Sequence, residues 1–548
     1  MTTAPAAPDL EPYISKYAES FRAARTLGGG ELSLWQPRQM SADRANLNDS
    51  GVIRARARDL VRNDPIAANA VRMNRDAVSG SGLKLALKID WRALGIKDIE
   101  TAAEWQDQVV RAWEAFAEGV DFECDARRQQ NFSSLFALVD QTDYVDGEAL
   151  AIVEMKAGFG AYRTCLNIVD IDRLSNPYGR INDDVIRAGI ERDYYGEPVA
   201  YHVREGHPYD VGLGLAQFRW NRVPRTTVWG RPIALHTFDK SRPEMTRGVS
   251  AFASVISQMR MLQVYEEKEV EKAIVQSLFA AVIKTELDWS RAFDVLGKKA
   301  QVSTGGNPMV DMQMGAMSVA SEYAKERNIT LRGAQIPHLL PNEDLEFLRS
   351  EHPNTNFDNF EKAFIRKFAA GLGVEAHELG KNYADVNYSA ARAALLAVWR
   401  TYRARRNRII AEFGLPFFSA WLEEATAIGT VPLPPGVNDY LAVKAYLVKG
   451  TFIAWGKPMI DPLKERQAQQ LGIQMGIDTL ESCAAEEGEN WRDTVDQTAY
   501  EKAYCIKVGV VHPSETVMAA PDPNATYPSD ENSGGGKKTP AKDTENGA

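Results

Sequence analysis

Between two strongly patterned helices lies a polar segment punctuated by glycine, running from Gly371 through Lys381, Asn382 and Tyr383 to Arg392. Ahead of it, Phe357, Phe360, Phe364 and Phe368 recur at steps of three and four, which puts four rings on one face of a helix. Gly371 and Gly373 then supply the left-handed backbone that ends such a helix. Beyond the segment, Ser389 stands where an N-cap belongs, and an alanine-rich helix is expected to run until Gly414-Leu-Pro416 stops it. A long ordered loop held between two helices usually carries a function.

The rest of the 548-residue chain is too long for one core, and three or four structural units are expected. No window approaches the ~18 uninterrupted apolar residues of a membrane-spanning helix. The best stretch, Ala273 to Ile283, contains Gln276 and is bracketed by Lys272 and Lys284. A soluble protein with no membrane contact is expected, and the start of the chain lacks the basic and apolar regions of a signal peptide, so synthesis in a cytoplasm is too. Cys124, Cys165, Cys483 and Cys505 are widely separated and form no C-x-x-C pair, which points to buried free thiols. A net charge of −10 argues against a protein that grips nucleic acid by neutralising phosphates.

Along the chain, Pro, Gly28-Gly-Gly30 and polar residues mark a mobile arm with one short helix near Ile14 to Ala24. From Gly51 to Val78 the pattern is helical, with Pro65 opening a helix after Asn63-Asp64. Arg54, Arg56, Arg58, Arg62, Arg72 and Arg75 stud this region and are read as a solvated face or as partners of a neighbouring subunit. Trp105, Val109, Trp113 and Phe116, at helical spacing within Ile99 to Glu118, are core. Short β-rich runs follow at Ala149 to Met155, Leu166 to Ile171, Val185 to Glu191, Pro198 to Val203 and Ile233 to Phe238. Ser250 to Lys284 reads as one long helix of about 50 Å. Its charged middle, Tyr265 to Lys272, cannot lie in a monomer's core. A less regular excursion from Asp288 to Leu340 leads back to the Phe-striped helix. After Pro432 a second helical block runs to about Lys507, and a Pro/Gly-rich tail is expected to be disordered. The fold class is α+β, mainly helical.

Catalytic signatures are missing. Gly380-Lys381-Asn382 and Gly456-Lys457-Pro458 lack the upstream glycine and the Ser/Thr of a phosphate-binding loop. His202 and His207 are not spaced as ligands on a helix, and Asp170 and Asp172 read as ordinary solvated acids. No enzyme activity, cofactor or metal is expected.

The segment Phe357 to Trp421, with Gly371-Leu-Gly-Val, Asp385-Val-Asn-Tyr-Ser389 and Arg392, resembles the lambda-like family of tailed-bacteriophage portal proteins. Arg56 to Pro65 with Gly80-Ser-Gly82, Trp220 to Arg225 with Gly248-Val-Ser250, and Lys457 to Glu465 agree with it. The resemblance spans residues 45 to 500 in the family's order. It implies a portal-type subunit of a ring oligomer, a homododecamer in the family's pattern, with wing, stem, clip and crown regions. The implied division is a mobile arm at 1–45, a wing-like domain at 46–249, a first stem helix at 250–284 and a clip-like excursion at 285–350. A second stem helix at 351–372, a tunnel loop at 373–388, a long helix and wing return at 389–431, a crown-like block at 432–515 and a tail at 516–548 complete it.

The resemblance implies a head-tail connector at one capsid vertex of a virion, assembled in the host cytoplasm. It would pass double-stranded DNA during packaging, retention and ejection, and would meet terminase, the major capsid protein and a head-tail connector protein. Lys381, Asn382, Tyr383, Asn387 and Tyr388 are then candidates for unspecific DNA contact. An acid near Asn382 and a second serine near Ala390, common in the family, are absent here. Arg392, Arg400, Arg403, Arg405, Arg406 and Arg408 would meet phosphate or, as the favoured reading, a neighbour's acids such as Glu423-Glu424. The alternatives are another capsid or connector ring protein and, behind it, a nucleic-acid-processing enzyme.

Overall fold

The computed structural model describes residues 37–158, 160–210, 215–278, 282–285, 343–346, 357–383, 388–456 and 461–515, with the backbone alone at 275–278, 282–285, 343–346 and 388–390. The expectations for the start of the arm, most of the excursion and the tail fall outside these residues. The chain divides into two compact units, Met1–Phe452 and Ile453–Ala548.

In the larger unit, α1 (Ala42–Asn46) is followed by α2 (Ser50–Asn63) and α3 (Pro65–Val78). Asp64 separates the last two by capping α3, its Oδ1 accepting from Ile66 N and Ala67 N, while Pro65 occupies the first helical turn where its missing N–H costs nothing. After β1 (Lys84–Leu87), α4 (Ile99–Ala117) buries Trp105, Val109, Trp113 and Phe116. Trp113 meets Phe132, Phe418 and Trp421 edge-on at 5.1–5.3 Å, the arrangement ring quadrupoles favour. These rings arrive from α5 (Phe132–Asp146) and from α10 (Leu415–Ala427).

The strands β2 (Glu148–Met155), β3 (Thr164–Val169) and β8 (Ala234–Phe238) form an antiparallel sheet in the order β3-β2-β8, with Leu150 opposite Val169 and His236. Between them β4 (Ile186–Arg187), β5 (Ile190–Arg192), β6 (Pro198–Arg204) and β7 (Trp220–Pro224) build a second antiparallel sheet in sequential order. The single strand expected from Val185 to Glu191 is a hairpin instead. Ala188 and Gly189 both adopt positive φ, 46° and 86°, which turns the chain within two residues.

The arginines of α2 also depart from expectation. Arg54 Nη1 donates to Glu148 Oε1 at 3.0 Å, and Arg58 bridges Asp146, Asp170 and Asp172. Glu148 is fully buried and receives Arg247 Nε at 2.7 Å and the Gly248 N–H at 3.2 Å, with His236 Nε2 at 3.0 Å. Burial disfavours its carboxylate, but Arg247 and His236 outweigh that and hold its pKa well below the usual range. Asp170, though exposed, and the half-buried Asp172 are therefore ion-pair partners of Arg58. His207 comes near enough to complete a possible ligand trio, but Arg58 already occupies both carboxylates.

The expected long helix begins later and ends sooner. Ser250 caps a 3-10 turn at Ala251–Ser254, α6 occupies Ile256–Leu278, and β9 (Val282–Thr285) pairs antiparallel with β10 (Glu343–Glu346). Then α7 (Phe357–Leu372) packs on α6, with Tyr265 5.9 Å from Phe357 and 5.1 Å from Phe360. Helix α8 (Ala376–Leu379) precedes α9 (Tyr388–Ile409), which does not stop at Gly414-Leu-Pro416. A π-helical turn, Ile410–Gly414, carries the chain straight into α10, whose first turn holds Pro416. The unit closes with α11 (Tyr440–Leu447) and β11 (Gly450–Ile453), paired with β1.

The smaller unit contains α12 (Pro462–Gln474), α13 (Leu480–Glu487) and α14 (Trp491–Val508). Thr479 and Ser482 cap α13 reciprocally, and Gly488 and Gly509 end α13 and α14 in the left-handed conformation. Of the cysteines, all free, Cys124 and Cys165 are buried, while Cys483 and Cys505 are only half-buried. No helix among the described residues is long and apolar enough to cross a membrane.

Candidate functional site

The polar segment is anchored at its base by the helices behind it. Gly371 lies so close to the turn before α6 that an added Cβ would stand 2.5 Å from Val255 Cγ1. Gly373, at φ +70°, ends α7, and Tyr144 on α5 donates its hydroxyl to Leu372 O at 2.9 Å. The segment is not wholly loop. Glu375 accepts from Glu378 N at 2.6 Å and starts the single turn of α8, while Val374 and Leu379 are buried. Asn69 on α3 donates to the Glu378 and Leu379 carbonyls at 3.1 and 3.0 Å, satisfying acceptors a short helix leaves open.

From this base the chain turns outward. Lys381 has φ +50° and is exposed, with Nζ 4.0 Å from Glu378. Asn382 is half-buried, its N–H donating to His377 O at 3.0 Å. Tyr383 is 59% exposed. Asn387 lies outside the described residues, and Tyr388 and Ser389 are described by backbone alone, which places the start of α9 at Tyr388.

The arginines of α9 divide into two groups. Arg405 donates to Asn74 Oδ1 and lies 4.6 Å over the Tyr144 ring. Arg406 donates to the carbonyls of Val78 and Ala77 at 2.8 and 2.6 Å, and burial, with Arg403 nearby, lowers its pKa to about 10. Arg408 pairs with Asp143, Glu412 and Thr237. These three are engaged within the chain instead of being offered to a neighbour or to phosphate, because the buried carboxylates of α5 and the last carbonyls of α3 require donors. Arg392 is half-buried, whereas Arg400 and Arg403 are exposed.

The acids suggested as their partners are also taken. Glu424 accepts the N–H groups of Arg163 and Thr164, and Glu423 accepts from Trp229 Nε1 at 2.9 Å. Sequence reasoning missed the polar groups that fasten α9 to the body: Asn74, Asp140 and Asp143. Asn74 donates to both Asp140 oxygens at 3.0 and 3.1 Å. A signal existed, since Asn74 lies on the stripe of Ala67, Ala70, Val71 and Val78, where a polar residue needs a buried partner.

The site thus positions side chains for contact, on a loop and a helix fastened to a rigid body, as in a structural subunit. The family model "Phage portal protein, lambda family" matches residues 28–406. The portal protein of Escherichia phage N15 is 30% identical over 515 residues, covering 93% of this chain and 95% of that one. Portal protein B of Escherichia phage lambda is 31% identical over 516 residues, covering 93% and 94%. A solved structure of the neck of a gene transfer agent particle has a TM-score of 0.42 at 14% identity, covering 82% of this chain and 94% of its own, a likeness too loose to carry weight. The chain belongs to the lambda family of phage portal proteins.

Proposed function

We propose that this chain forms the ring-shaped portal at one vertex of a phage capsid, through which double-stranded DNA enters, is retained and leaves. The reading is structural rather than enzymatic. The observation that carries it is the likeness to two portal proteins over nearly the whole length of both chains. In this reading residues 46–249 are the wing, α6 and α7 the stem, 285–350 the clip, 373–388 the tunnel loop, 389–431 the long helix and wing return, and 432–515 the crown. Twelve copies are the proposed ring, with terminase, the major capsid protein and a head-tail connector protein as partners in the virion.

The loop's fastened base and its exposed Lys381 and Tyr383 suit contact with a passing duplex. Lys381, Asn382, Tyr383, Asn387 and Tyr388 are proposed to touch the DNA backbone without reading sequence, since every base must pass. A net charge of −10 per chain is multiplied by a ring and keeps DNA from sticking to its wall. Negative-stain electron microscopy of the purified protein tests the reading. Rings with a central hole and about twelvefold symmetry are expected under the ring architecture of repeated unlike contacts. Compact monomers or dimers at high concentration would overturn it.

A further inference from the structure

Arg405, Arg406 and Arg408 are engaged inside the fold, and the exposed Arg400 and Arg403 raise a separate question. Arg400 and Arg403, three residues apart, are neighbours on one exposed face of α9. Neither has a carboxylate partner among the described residues, and Arg403 stands close enough to Arg406 to repel its charge. The Glu423-Glu424 pair is occupied elsewhere. This surface carries two exposed cations with no salt bridge among the described residues.

An opposite surface lies on the same chain. A notch of about 690 Å³ opens between α6 and the junction of α2 and α3, with Glu266, Glu267 and Asp64 among its walls. Asp64 is committed to capping α3, and Glu271 to Lys268 at 2.7 Å. Glu266 and Glu267 have no salt bridge among the described residues. Glu266 is half-buried, and its pKa is raised by burial and by the charges of Glu361 and Asp64. Arg260 also lines the notch but donates to Gln263 at 3.0 Å. Ile66, Leu262 and Val270 complete the walls, an apolar lining that suits the aliphatic stem of an arginine.

The notch lies at the N-terminal end of α3, which Asp64 caps, whereas the carbonyls of Ala77 and Val78 at its C-terminal end hold Arg406. Among the described residues no salt bridge joins Arg400 or Arg403 to Glu266 or Glu267 within the chain. A closed ring of identical chains repeats a contact between two unlike surfaces, and complementary charge sets its register.

We infer that Arg400 and Arg403 of one subunit enter the notch of the next, where Glu266 and Glu267 receive them. This rests on the ring reading above and names the contact that closes it. DNA phosphate, the competing destination for these arginines, has no place for the glutamates.

The test uses full-length chains at low salt, with ring yield read by native mass spectrometry and folding by thermal unfolding. R400E/R403E and E266K/E267K are each expected to lower ring yield at least about tenfold, and the chain carrying all four changes to recover most of it. Wild-type yield from either pair would overturn the contact, as would failure of a fully folded quadruple variant to recover. If the quadruple variant does not fold, R400Q/R403Q decides: its rings are expected to lose much of the wild-type sensitivity to salt, and unchanged sensitivity would overturn the proposal. R400E/R403E rings of normal yield but weaker DNA binding would assign the arginines to phosphate and also overturn it. Absence of rings from the wild type would instead overturn the portal reading, and this contact with it.

Discussion

Around Glu148 every charge meets a partner inside the chain: Arg54, Arg247 and His236 converge on one carboxylate, and Arg58 gathers three aspartates beside them. Along the outer half of α6 the treatment is reversed. Met261, Val264, Val270 and Ile274 are exposed, and Glu266 lies near Glu361 and Asp64. The first region is complete as a single subunit, since an unpaired charge at that depth would not be tolerated. The second leaves apolar side chains and carboxylates at the surface, where the proposed contact would cover them. A polar group thus means different things in the two places, and substitutions should separate them.

The largest difference is expected between Glu148→Ala and Glu267→Ala. Removing Glu148 strands two buried guanidinium groups and should cost about 3–5 kcal/mol, read from urea denaturation. Glu267→Ala should stay within about 0.5 kcal/mol for the monomer. Equal effects would break the distinction.

A second contrast concerns close approach. Gly147 has φ +91°, and a Cβ there would stand 2.3 Å from Val249 C, so Gly147→Ala should destabilise by more than about 1 kcal/mol. Gly371→Ala, pressing on the side chain of Val255 rather than on backbone, should cost about 1–3 kcal/mol and loosen α7 from the turn before α6, visible as faster amide exchange at the end of α7.

The buried charges themselves differ in sign of response. Burial raises the Asp140 pKa to about 7, against opposing contributions from Arg405 and Asn74. The folded chain thus holds an extra proton that the unfolded chain releases near pH 4, so this group's stabilisation is present at low pH and is lost as pH rises through 7. Asp140→Asn should gain on the wild type between pH 5 and pH 8, by about 1–3 kcal/mol in denaturation midpoints converted to free energy. Glu148, with its pKa lowered, acts oppositely, and its contribution is lost as pH falls below 4.5. A smaller loss than at Glu148 is expected at Tyr265, whose packing on Phe357 and Phe360 should account for about 0.5–1.5 kcal/mol in Tyr265→Ala, read from urea denaturation.

Much of this was legible from spacing. The apolar stripe of α4, the Asp64-Pro65 boundary and the phenylalanine face of α7 each follow from local chemistry, and the helices formed there. The fastening of the candidate loop was not legible, because Asn69 and Tyr144 are hundreds of residues from the carbonyls they hold. Nor could the sequence divide the arginines of α9, whose partners come from α3, α5 and β8.

By itself the sequence determined some boundaries, such as Asp64-Pro65, which helix faces are apolar and, through its ordered motifs, the family. These are local or additive signals, carried by neighbours a few residues apart. Only the tertiary structure decided which charges are buried in pairs and which stay exposed, because burial is a property of the elements packed around a side chain. The same arginine is a structural donor at position 406 and an exposed cation at 403, since one faces the end of α3 and the other faces solvent.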